Sequence, residues 1–185
     1  MGLKYTTINY DYCYPFSFPF NYSKMLEAAS ALSEKQVRHA RTENDNQSLP
    51  DNKRKVSEKK IGWAKRLTLT EMPDDKNAQY IVSECKKLLD KIESKKYTII
   101  LVEYDSESFL DWHIDTGNAS RINCILTNNY QTTPIRFRDS EYSFRLAVVN
   151  VSGKEHMYNN RGKEKRILLT ISIPEYTHHE LIRKL

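Results

Sequence analysis

Hydrophobic spacing divides the chain into an N-terminal part that reads mainly as helix and a C-terminal part that reads as strand. Tyr10, Tyr12, Tyr14, Phe16, Phe18 and Phe20 alternate with smaller or polar residues. That period of two predicts an extended segment laid over a sheet, with Pro15 and Pro19 keeping it at an edge. From Ser23 to Arg41, Met25, Leu26, Ala29, Leu32 and Val37 form a helical apolar stripe. Thr42 to Lys60 is rich in Asn, Asp, Ser and Lys, holds Pro50 and lacks periodicity, which predicts a mobile loop over about 42–60. A second helix starts at Pro73-Asp74-Asp75, and Ala78, Ile81, Val82, Cys85, Leu88, Leu89 and Ile92 recur along it at helical spacing.

After Tyr97 the pattern shortens. Tyr97–Tyr104, Arg121–Thr127, Pro134–Arg138, Phe144–Val151 and Lys165–Ile173 are rich in Ile, Val, Leu and aromatics, with turn residues between them. Two helices followed by several short strands predict a mainly β fold with flanking helices. The expected architecture is a small antiparallel barrel or jelly roll with helices on one outer face. A length of 185 residues fits one domain. Residues 1–95 would supply the extended segment and supporting helices, and 96–175 the barrel core.

Composition narrows the setting. A net charge of +5 favours an anionic partner without choosing among nucleic acid, acidic protein and small oxoacids. Cys13, Cys85 and Cys124 are widely spaced, an odd and sparse set that argues for reduced thiols in the cytoplasm rather than a disulfide frame. No stretch approaches the roughly 18 apolar residues of a membrane span, and no hydrophobic signal region opens the chain. The expectation is a cytoplasmic protein with no membrane partner.

The chemistry concentrates in the strand region. His113 and Asp115 are two apart, so an extended strand would project both to one face, whereas a helix would set them about 200° apart. His156 would come from a strand adjacent in space, followed by Arg166 at the head of the last β-rich run. Two imidazoles and one carboxylate on one face of a metal leave neighbouring coordination positions open, an arrangement that suits non-haem Fe(II). A guanidinium nearby offers a planar fork for the far carboxylate of a bidentate organic acid.

These residues carry a resemblance. A His-x-Asp, a distal His and an Arg ten residues further on are the pattern of the Fe(II)- and 2-oxoglutarate-dependent oxygenases. Here they are His113, Asp115, His156 and Arg166. The run from Tyr104 to Ile173 resembles especially the small prolyl-hydroxylase-like members of phage and bacterial type. Tyr104, the Arg121–Leu126 strand, Asn150 and Val151 are secondary matches. The resemblance implies a double-stranded β-helix of the cupin-like kind, with Fe(II) held by His113, Asp115 and His156. It further implies 2-oxoglutarate as co-substrate, its distal carboxylate on Arg166, and O2 as oxidant. Hydroxylation of a C–H bond in a peptidyl or free amino-acid side chain would then release succinate and CO2.

The chain departs from some relatives at one point. Where they place a serine two residues after the arginine, this sequence has Leu168. Thr170 on the same strand face can substitute as the second oxoacid contact, as can Tyr104. Arg121 can touch the oxoacid or the substrate, or bridge the loop of Asp115. Trp112 either shapes the substrate pocket or packs on the outer sheet. Arg136 and Arg138 share a strand face, and His178 and His179 belong to a tail. Lys53 to Lys60, extended by Lys65 and Arg66 around Trp63, supports the rival readings. Basic residues with an interleaved aromatic can grip single-stranded nucleic acid, in a nucleic-acid-directed oxygenase or a non-catalytic binding module. The same segment can equally be a solvated loop or a lid. A cupin-like metal-binding protein that works without 2-oxoglutarate is the remaining alternative.

Overall fold

The computed structural model describes residues 9–35, 65–115 and 120–185. The expected loop at 42–60, the basic segment 53–60 with Trp63, His39, the helical end beyond residue 35 and the turn at Thr116-Gly117-Asn118 lie outside the described residues. In chain order the elements are β1 (Cys13–Pro15), α1 (Tyr22–Lys35), β2 (Lys65–Thr68), α2 (Lys76–Lys91), β3 (Thr98–Tyr104), β4 (Phe109–His113) and β5 (Ser120–Ile125). They continue with β6 (Ile135–Phe137), β7 (Glu141–Tyr142), β8 (Leu146–Val149), β9 (His156–Asn159), β10 (Arg166–Ile173) and α3 (His178–Lys184).

The strands form a six-stranded sheet, β1-β8-β5-β10-β3-β2, and a four-stranded sheet, β4-β9-β6-β7. Every pairing is antiparallel. The two sheets make a double-stranded β-helix, the architecture expected from the sequence. Two details differ. The barrel is followed as well as preceded by helix, since Thr177 and Glu180 form a reciprocal cap that starts α3. The N-terminal part also contributes two strands, β1 and β2, at opposite edges of the larger sheet. Proline lacks an N–H, and Pro15 sits where only one side of the strand is paired.

Alternation along the strands assigns the two faces of the larger sheet. On β10, Ile167, Leu169, Ile171 and Ile173 join Ile99 and Leu101 of β3 and Ile122 and Cys124 of β5 against the helices. α2 is capped by Asp75, whose carboxylate accepts from the Asn77 and Ala78 N–H groups at 2.8 and 3.1 Å. It buries Ala78, Ile81, Cys85, Leu88 and Leu89 on this face, and α1 adds Met25, Ala29 and Leu32. The opposite face of the same strands looks into the barrel. Leu168, Ile100, Val102, Tyr104 and Ile125 meet Leu110, Ile135, Phe137 and Tyr158 of the smaller sheet there. The N-terminal segment spans both sheets, with Tyr12 stacked on Phe137 at 4.8 Å while its carbonyl accepts from Asn150 N–H.

Among the described residues no helix is long and apolar enough to cross a membrane.

Candidate metal centre

His113 reaches the barrel interior because β4 is bulged. Leu110 pairs with Tyr158 but His113 pairs with His156, so three steps on β4 oppose two on β9. Leu110 and His113 are an odd number apart and strict alternation would send them to opposite faces. The extra residue restores His113 to the inner face, and it explains why the alternation around Asp111 and Trp112 looks imperfect in the sequence. The expectation that one strand carries both His113 and Asp115 needs correction. β4 ends at His113, and Asp115 lies just past it, held by its own N–H donating to the Val151 carbonyl at 3.0 Å.

The ligand atoms of His113, Asp115 and His156 all lie within 4.8 Å of one another. His113 Nδ1 is 2.6 Å from the Asp111 carbonyl, and His156 Nδ1 is 3.1 Å from the Lys154 carbonyl. A carbonyl only accepts, so both Nδ1 atoms carry the proton and both Nε2 atoms keep the lone pair in the neutral rings. His156 Nε2 is buried and has no hydrogen-bond partner. His113 Nε2 lies 3.3 Å from Asp115 Oδ1, while Asp115 Oδ2 accepts from Arg121 Nη1 at 2.7 Å.

Protonation follows from these contacts. Burial, helped by neighbouring His113, pushes His156 down to about 4. Burial works to raise the Asp115 carboxyl, but the His113 contact and the Arg121 charge outweigh it and hold it below the ordinary value. A neutral His156 beside an ionised Asp115 suits metal ligation. Each ligand also has an outer partner fixing its orientation: a carbonyl for each histidine and a guanidinium for the aspartate. The donor set fits a divalent iron.

A cavity of about 300 Å³ opens from this cluster. His113, Asp115, Arg121, Asn123 and Thr170 line it, Ile100, Val102, Leu110 and Leu168 form its apolar walls, and Tyr104 and Tyr158 also face it. Arg166 does not line the cavity. It lies behind the two tyrosines, its guanidinium carbon 5.7 Å from the Tyr104 ring and 5.1 Å from the Tyr158 ring. Its side chain is fully buried, and none of its three nitrogens has a hydrogen-bond partner. Burial pushes its pKa down, opposed by the two tyrosines, yet a guanidinium keeps its charge. A buried cation without an acceptor is costly unless an anion completes it. An anionic group brought to Arg166 would meet that requirement.

The remaining predicted residues separate by position. Tyr104 is the cross-strand partner of Arg166 and lines the cavity. Thr170 lines the cavity two positions beyond Leu168, opposite Asn123 and Ile100. Of the two readings of Arg121, the bridge to Asp115 is the one observed. Trp112 lies on the outer side of the smaller sheet, under the Arg138 guanidinium at 4.2 Å. Arg138 forms a forked pair with Glu155, and Arg136 pairs with Glu141. His178 Nε2 contacts the Tyr10 carbonyl at 2.6 Å, and His179 lies 3.4 Å from Asp11.

Sequence reasoning missed Tyr158 and Asn123. Tyr158 is fully buried, its hydroxyl accepts from the Asn123 amide, and Asn123 Oδ1 is left without a partner. Both carried a readable signal. Tyr158 is two residues after a proposed ligand, and Asn123 is the polar residue inside an apolar run.

No protein-family profile matches the chain, and no curated protein sequence matches it. Solved structures do share its fold. A prolyl-4-hydroxylase from Pseudomonas putida superposes with a TM-score of 0.52 at 12% identity, covering 82% of this chain and 84% of that one. A prolyl hydroxylase from Trichoplax adhaerens, solved with a hypoxia-inducible-factor oxygen-degradation-domain peptide, gives 0.56 at 14% identity, covering 88% and 80%. At such identities the similarity is one of fold: this chain folds as the prolyl hydroxylases do.

Proposed function

We propose that the protein is an Fe(II)- and 2-oxoglutarate-dependent oxygenase that hydroxylates a C–H bond, most plainly in an amino-acid side chain of a peptide. One observation carries the reading. A His-Asp-His cluster opens onto a cavity, and a buried guanidinium without a hydrogen-bond partner, Arg166, lies behind the two tyrosines that line it. Bound iron and 2-oxoglutarate would supply the oxidising power, with O2 consumed and succinate and CO2 released. The protein's own part is geometry and exclusion of water. His113, Asp115 and His156 would hold the metal. Arg121 occupies the second oxygen of Asp115, which leaves one oxygen for the metal and keeps neighbouring positions free for co-substrate.

Arg166 would take the distal carboxylate in a setting where its charge is undiluted by water. Leu168, Ile100, Val102 and Leu110 give the cavity hydrocarbon walls that would suit the methylene stem of the oxoacid. Tyr158 with Asn123 offers the second polar contact that Leu168 cannot make, alongside Tyr104. Thr170 faces the metal end. A peptide substrate is in keeping with the Trichoplax protein of the same fold, which was solved with one.

The cupin-like alternative without an oxoacid leaves Arg166 without a purpose. The nucleic-acid alternatives rest on the basic residues from Lys53 to Arg66, of which only Lys65 and Arg66 are described. An anaerobic titration of metal-free protein with Fe(II) and then 2-oxoglutarate tests the proposal. A weak visible charge-transfer band is expected, absent in His113→Ala and weakened in Arg166→Ala. Iron binding with no band would favour the cupin-like alternative, and no iron binding would end the catalytic reading.

A further inference from the structure

The cavity has a mouth of defined chemistry. Of its lining residues only Arg66 and Ile114 are exposed, Ile114 to 56%. Arg66 lies on β2, the edge strand, opposite Val102 and turned inward with the same parity as the other cavity walls. No carboxylate among the described residues pairs with it. The other lining cation, Arg121, is tied to Asp115 through Nη1 but keeps a buried Nε without a partner. Asp115 is the lone acidic residue among those lining the cavity, and Arg121 already offsets it.

Among the described residues, an incoming molecule therefore meets a guanidinium without a carboxylate partner beside an exposed aliphatic side chain, at the entrance to an interior whose charges lean positive. Single-stranded nucleic acid would want exposed aromatic faces and a run of cations. The two aromatic rings lining this cavity, Tyr104 and Tyr158, are buried instead.

Building on the oxygenase reading, we propose that the substrate carries a carboxylate close to the oxidised carbon, as an aspartate or glutamate side chain in a peptide does, and that Arg66 selects it. The carboxylate would pair with the guanidinium while an adjacent apolar group rests on Ile114. Arg66 is then a specificity residue that touches substrate and has no part in holding metal or oxoacid.

The test uses the full chain loaded with Fe(II) and 2-oxoglutarate, after the charge-transfer band has been recorded. Three pools of short N-acetylated peptides are offered, identical except that the variable position holds Asp/Glu, Asn/Gln or Lys/Arg. Free aspartate and glutamate form a further arm that separates a free acid from a peptidyl one. The readout is substrate gaining one oxygen by mass. Acid-bearing substrate from either source is expected to be used about three- to fivefold better than its amide counterpart at low salt, the margin shrinking as salt rises. Arg66→Lys should keep the preference and Arg66→Glu should reverse it toward the Lys/Arg pool. Equal use of the pools, a preference that Arg66→Glu does not move, or oxidation of a short oligonucleotide in place of any peptide would overturn the inference while the band stands. Absence of the band would instead overturn the oxygenase reading and this inference with it.

Discussion

The two faces of the larger sheet come from the same strands and are built to opposite rules. On the helix side, β3, β5 and β10 contribute Ile, Leu and Cys side chains, and the buried carboxylate there, Glu103, is met by the Ser33 hydroxyl and the Lys165 ammonium. On the barrel side the same strands, with β9 of the smaller sheet facing them, bury His156, Asn123 and Arg166 with polar atoms left unpartnered. The helix face is mostly hydrocarbon, and its buried carboxylate on β3 is partnered. The other tolerates unsatisfied groups that only a metal and an anion would complete, which is how a ligand site differs from a core.

Breaking the inner face at a ligand should have the largest effect. His156→Ala is expected to abolish iron binding, read by metal content after anaerobic loading. The metal-free melting temperature should move little, because lost packing is set against the removal of a buried, unpartnered nitrogen. Breaking the outer face should do the reverse. Leu169→Ala removes a fully buried side chain among the helices and should cost about 2–5 kcal/mol in denaturant unfolding. Iron affinity in the fraction that stays folded should be unchanged.

Smaller effects sharpen the contrast. Arg121→Gln keeps a side chain of similar reach but loses the charge on Asp115 Oδ2, and should weaken iron binding by about ten- to a hundredfold. The thiols should barely respond. Burial pushes Cys13 and Cys124 up to about 12 and raises Cys85 well above its usual value. Alkylation by iodoacetamide at neutral pH should therefore proceed only as fast as the chain unfolds, monitored by intact mass.

Much of this arrangement was legible in the residues. The helix over α2 and the inward parity of β10 follow from spacing that a single helix or strand fixes by itself, whereas His113, Asp115 and His156 were picked out by their likeness to a family's ligand pattern. What lay beyond reach depends on contacts between distant segments. β2 and β7 are too short to show a period, and β4 hides its period behind a bulge that only pairing with β9 reveals. Tyr158 faces the cavity because β9 presents it two residues after His156. That Arg121 braces Asp115 depends on a contact between a residue just past β4 and one on β5. The edge position of the aromatic N-terminal segment was readable from its prolines, but its reach across to Phe137 was not.

The central claim is that Arg166 is buried to receive an anion, and one paired measurement addresses it directly. Wild type and Arg166→Met are compared for metal-free thermal stability and, after iron loading without oxygen, for 2-oxoglutarate affinity by calorimetry. Methionine fills much of the same space without a charge to desolvate. The account predicts that the variant is more stable than wild type by about 1–3 kcal/mol in the absence of oxoacid. It also predicts that the variant binds 2-oxoglutarate at least about tenfold more weakly. A variant that is less stable and binds the oxoacid as tightly as wild type would contradict it, because Arg166 would then be part of the core rather than of the site.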